Sequence, residues 1–97
     1  MKVTESGIKG VFIIEPDVYI DDRGFFMETF HIERYRKLLG INLDFVQDNI
    51  SRSSKNVLRG MHFQRNNPQG KIIKVSRGEI LDVIVDLRKD SPTYGTW

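Results

Sequence analysis

Residues 71–87, KIIKVSRGEILDVIVDL, constrain the fold of this chain more than any other segment. Apolar and polar residues alternate on both sides of Arg77-Gly78, and a period of two belongs to a strand rather than a helix. The segment therefore reads as two strands meeting at a tight turn. In the second strand Leu81, Val83, Val85 and Leu87 share one face, with Asp82, Ile84 and Asp86 on the other. The two aspartates then read as the solvent-facing half of an alternating strand.

The rest of the chain is punctuated in the same way. VFIIEPDVYI (11–20) is a strand broken or bent at Pro16, where a ladder donor is missing. DDRG (21–24) signals a turn, and FFMETF (25–30) resumes an extended pattern. One helix is expected at 31–39, HIERYRKLL: Ile32, Tyr35, Leu38 and Leu39 fall on one face, Glu33 and Lys37 are spaced i,i+4, and Gly40 is placed to end it. LDFVQDN (43–49) alternates with Leu43, Phe45, Gln47 and Asn49 on one face. NVLRGMHFQ (56–64) follows a polar loop, RNNPQG (65–70) is turn chemistry, and RKDSPTYGTW (88–97) is a loop. Six or seven short strands with one helix favour an antiparallel sandwich or barrel over alternating strand–helix units.

The 97 residues suit one domain, residues 1–97. The closing aromatic, Trp97, follows a turn as though the chain were cut in mid-fold. A net charge of +2 is too mild for a nucleic-acid footprint, and the Lys and Arg residues are spread along the chain. There is no cysteine, which excludes disulfides and thiolate metal sites. The opening MKVTESGIKG lacks the apolar core of a signal peptide, and runs such as VFII are too short to cross a bilayer. A soluble cytoplasmic protein without a membrane partner is the expectation.

The residues that break the two-residue period carry the chemistry. Within 56–64 a regular strand puts Arg59 and His62 on opposite faces; an irregularity at Gly60 would bring both to one cavity. Lys71 shares a face with Ile73 and Val75. Barrel interiors with a few convergent polar groups are typical small-ligand sites. A histidine beside a lysine suits proton abstraction next to a carbonyl, with the cation stabilising the oxygen that becomes negative. Each residue also has a plain structural reading: His62 as a satisfied strand residue, Arg59 as a surface ion-pair partner, Lys71 as a snorkelling side chain, and Gln47, Asp48 and Asn49 as turn formers.

Taken together, DDRGFFMETF, FVQDNISRSSKNVLRGMHFQ and PQGKIIKVSRGEILDVIVDLRKDSPTYGTW resemble the N-terminal half of the dTDP-4-dehydrorhamnose 3,5-epimerases, metal-independent enzymes of the cupin superfamily. The resemblance runs from about Gly10 to Trp97. It implies a mainly β fold, a partial cupin-type antiparallel jelly roll with one short helix, and an activity without a cofactor. His62 matches the base that removes the C3 and C5 protons of the sugar, and Lys71 the lysine that stabilises the enolate. Arg59, Arg23, Glu28, Gln47, Asp48 and Asn49 match positions that contact the nucleotide-sugar. Asp82 matches a recurrent acidic position in GEIxDV with no defined role. The resemblance also implies a homodimer with swapped N-terminal strands, in which Arg23 and Glu28 serve the neighbour's site.

Family members are about twice this length, and the other half carries the tyrosine acid and the aspartate that pairs with the base. Tyr94 does not match the acid's motif. The isolated chain is accordingly expected to be weak or inactive. With only His31 and His62 present, a three-nitrogen metal site cannot be built in one chain. Two other readings stand beside the double epimerase. One is a related nucleotide-sugar 3- or 5-epimerase or 3,4-ketoisomerase; the other is a non-catalytic sugar-nucleotide-binding half-domain.

Overall fold

A computed structural model describes residues 1–42 and 44–97. Among the described residues the regular structure is four short strands and one helix. Strand β1 (Lys2–Glu5) pairs antiparallel with β2 (Phe12–Glu15), Lys2 facing Glu15 and Glu5 facing Phe12. The link between them is a compact turn: the Ser6 N–H donates to the Val11 carbonyl at 2.9 Å, and the Ser6 hydroxyl accepts from the Ile8 N–H at 3.0 Å. Ile8, within that turn, is 8% exposed.

Pro16 ends β2, and a second antiparallel hairpin follows, β3 (Val18–Asp21) with β4 (Gly24–Met27). The expected break at Pro16 and turn at 21–24 are both present. Asp21 builds the turn by accepting the Arg23 N–H at 2.9 Å, and Gly24 closes it at φ 134°, a backbone angle that side-chain-bearing residues rarely adopt. The N-terminal ammonium forms an ion pair with Asp17 at the base of this hairpin.

Helix α1 (Ile32–Leu39) lies where the 3.6-residue period places it. His31 caps its start with extended backbone, its Nδ1 accepting from the Arg34 N–H at 3.4 Å, and Gly40 ends it in the left-handed region at φ 63°. Glu33 pairs with Arg36 at 3.0 Å, one residue short of the expected Lys37, and Arg36 reaches on to Asp44. Tyr35 anchors the apolar face. It is 5% exposed, meets Phe30 edge-on at 5.1 Å between ring centres, and donates its hydroxyl to the Thr29 carbonyl at 3.2 Å. Phe30 in turn meets Phe45 at 5.9 Å, so a small aromatic cluster joins helix, hairpin exit and the segment after the helix.

The strands expected over 43–49, 56–64, 71–77 and 79–87 are not formed among the described residues, and Leu43, placed on the apolar face of the first, lies outside them. A period of two specifies which side chains share a face, but a strand exists only when a neighbouring strand completes its ladder. No described segment takes that place. Val46, Leu58 and Leu81 accordingly stay about 90% exposed. The described regular structure is thus mainly antiparallel strand with one short helix.

Asp86 corrects a second expectation. Instead of facing solvent it is 4% exposed, at the centre of the 86–96 loop. Its backbone N–H donates to the Thr96 carbonyl at 3.0 Å, and its carbonyl accepts from the Gly95 N–H at 2.8 Å, folding the loop back on itself.

Candidate functional site

The polar segment before His62 is organised around Arg59. Its Nε donates to the Ser53 hydroxyl and its Nη2 to the Arg52 carbonyl, both at 2.9 Å. Gly60 follows at φ 109°, and the backbone turns there so that a side chain at position 60 would stand 3.7 Å from the His62 Nδ1. The bulge expected at Gly60 is not formed, because no ladder surrounds it among the described residues, and Arg59 and His62 are not brought to one cavity. His62 and Lys71 are both exposed, and neither makes a hydrogen bond or ion pair among the described residues.

Two cavities take up other candidate residues. One, of about 110 Å³, is lined by Thr29, Phe30, Phe45, Gln47, Asp48, Ile72 and Lys74. It brings Gln47 and Asp48 against the aromatic cluster, and Gln47 also donates to the Asn49 side-chain oxygen at 3.3 Å. The second, of about 220 Å³, lies between the N-terminus, Asp17, Tyr19, Phe26, Glu28 and Arg34. There Glu28 Oε1 sits 3.2 Å from Arg34 Nε but receives no hydrogen bond, a buried acceptor held by charge alone. Arg23, Arg59, His62, Lys71 and Asp82 line neither cavity. Arg23 instead forks onto Asp21, with Nε at 3.1 Å and Nη2 at 2.6 Å.

Charge is arranged unevenly over these groups. The Arg23 guanidinium holds the Asp21 carboxyl below its ordinary range. Burial, helped by the negative charge of Glu28, pushes the Tyr35 hydroxyl up. Asp86 carries the largest perturbation: Arg88, then the Ser91 and Thr93 hydroxyls, hold it far below the usual carboxylate range. Sequence reasoning missed this cluster because the alternation rule assigned Asp86 to solvent. The usable signal was the spacing Asp-x-Arg followed by Ser-x-Thr, hydrogen-bonding residues gathered around one carboxylate. Among the described residues no three His, Cys, Asp or Glu side chains converge as a metal site would require.

Comparison with known proteins gives these positions a frame. The profile of the dTDP-4-dehydrorhamnose 3,5-epimerase family matches residues 5–97. A protein of that name from Methanothermobacter thermautotrophicus is 56% identical over 96% of this chain and 50% of its own length. The Salmonella typhimurium protein of the same name is 51% identical over all of this chain and 54% of its own. A Streptomyces niveus relative, named dTDP-4-dehydrorhamnose 3-epimerase, is 42% identical over the whole chain and 47% of its own length. The chain thus spans about half the length of the curated relatives it matches.

Proposed function

The chain belongs to the dTDP-4-dehydrorhamnose 3,5-epimerase family, and from that premise we propose that it serves the epimerisation of dTDP-4-dehydro-6-deoxy-D-glucose at C3 and C5, giving dTDP-4-dehydro-L-rhamnose. The observation that carries the reading is the match over residues 5–97, which includes the VLRGMHFQ and QGKIIKV segments. The reaction needs a base that reaches carbon, and both labile protons lie alpha to the C4 ketone. His62 takes each proton, and the electron pair left behind delocalises onto the ketone oxygen. The Lys71 ammonium faces that oxygen and stabilises the enolate. A proton returned from the opposite face then completes each inversion; no residue of this chain is assigned to deliver it.

Arg59, Arg23, Glu28, Gln47, Asp48 and Asn49 bind the nucleotide-sugar in this reading, and Asp82 has no assigned step. On the same reading the chain supplies part of a cupin-type jelly roll, and the working form is a cytoplasmic homodimer that exchanges its N-terminal strands. Support for the exchange comes from the β3–β4 hairpin, where Tyr19, Ile20, Phe25 and Phe26 are all at least 63% exposed.

The test is solvent deuterium uptake at C3 and C5 of the substrate. His62→Ala is expected to slow uptake about 10²–10⁴-fold, the usual contribution of a general base; unchanged uptake at both carbons would remove His62 from the role. A second reading, epimerisation at C3 alone, draws on the relative named as a 3-epimerase. Deuterium confined to C3 would favour it.

A further inference from the structure

We infer that Ser53 is a positioning residue for substrate binding, holding the Arg59 guanidinium so that one complete donor edge points at the anionic diphosphate of the nucleotide-sugar. The inference rests on the substrate-binding role proposed for Arg59. Guanidinium carries five N–H donors in a rigid planar fork. Two of them, on Nε and Nη2, form the side edge, and both are engaged within the chain: Nε to the Ser53 hydroxyl and Nη2 to the Arg52 carbonyl, each at 2.9 Å. The end edge, formed by Nη1 and the second Nη2 hydrogen, has no protein acceptor among the described residues. Two parallel donors on one edge match two oxygens of a phosphate group.

The arrangement also explains why this polar loop sits immediately before the strand-like VLRGMHFQ run. A flexible arginine must give up side-chain entropy before it can grip a ligand. Ser53 and Arg52 lie six and seven residues before Arg59, so their contacts close a small ring that fixes the guanidinium beforehand. Neither acceptor is charged, so the positive charge of Arg59 is oriented without being neutralised. That contrasts with Arg23, whose side edge is spent on the Asp21 carboxylate.

The experiment compares the purified protein with Ser53→Ala, Ser53→Thr and Arg59→Lys, using dTDP as the probe in calorimetry. Ser53→Ala is expected to weaken dTDP binding roughly three- to tenfold, the cost of ordering one long side chain on binding. Ser53→Thr keeps the hydroxyl and restores binding. Arg59→Lys loses the fork and binds at least as poorly as Ser53→Ala. Unchanged thermal melting of Ser53→Ala would exclude a merely structural effect. If Ser53→Ala binds dTDP like the parent while Arg59→Lys does not, the positioning role is wrong and the Arg59 reading stands. If Arg59→Lys binds normally, or the parent binds no dTDP at all, the underlying assignment falls and this inference with it. Failure of Ser53→Thr to restore binding also overturns it.

Discussion

At the scale of single residues, the strongest electrostatic feature is the clasp around Asp86. Five donors converge on its carboxylate: the Arg88 backbone N–H at 3.0 Å, Arg88 Nε at 2.8 Å and Nη2 at 2.9 Å, and the hydroxyls of Ser91 at 2.6 Å and Thr93 at 2.7 Å. Each donor favours the ionised form, so the folded-state carboxyl titrates far below its unfolded value of about 4. A depressed folded value means that the unfolded chain binds the proton more readily. The clasp therefore contributes its full stability above about pH 5, and this is lost progressively as pH falls further. Asp86→Asn removes the charge while nearly keeping the shape. It is expected to lower Tm at pH 7 by several degrees and to flatten the dependence of Tm on pH between about 5 and 2. Parallel pH profiles for the two proteins would show that the clasp does not carry the linkage. The sequence made the proposed site residues easier to pick out than this clasp. Arg59, His62 and Lys71 stood out by interrupting an apolar run, whereas Asp86 obeyed the alternation and concealed its burial. The alternation describes a strand, and a carboxylate that folds its own loop around itself answers to no such period.

Elements whose contacts are local were readable, and those that need a distant partner were not. Helix α1 is specified by residues within one turn of each other: the His31 cap, the Ile32–Tyr35–Leu39 stripe and the Gly40 stop. The 21–24 turn likewise needs only Asp21 and Gly24. By contrast, 71–87 shows a clear two-residue period, but no described segment pairs with it. Gly40 provides a clean test of the local part. At φ 63° and ψ 27° it occupies the left-handed region, and a Cβ there would meet nothing within 4 Å. The cost of Gly40→Ala is then backbone strain alone, about 1 kcal/mol. Gly40→Asn, which tolerates this conformation better, should cost measurably less. Urea denaturation of the two variants checks the ordering; equal stability of all three proteins would mean that Gly40 does not set the helix end.

At the scale of the whole molecule the decisive quantity is surface. The chain exposes 9536 Å², where a folded monomer of this size exposes about 5,700 Å². Its radius of gyration is 15.5 Å, against about 12.5 Å for a compact domain of the same length. A standard interface covers only about 800 Å² per partner, so a single modest contact would leave most of the excess uncovered. The β3–β4 hairpin is a natural place for part of that cover. Two strands alone are marginal in water, and this pair shows apolar side chains on both faces. Ile20, 82% exposed, separates the two possibilities. If the hairpin stays in solvent, Ile20→Asp changes stability by no more than about 0.5 kcal/mol. If it is buried against a second copy, the same substitution places an unpaired carboxylate in an apolar contact at each of two equivalent sites. The dimer should then weaken by about 3 kcal/mol or more, over a hundredfold in dissociation constant. Sedimentation velocity across a micromolar concentration series reads the difference directly. A shift of Ile20→Asp to monomer at concentrations where the parent is dimeric places the hairpin in the interface; identical distributions exclude it.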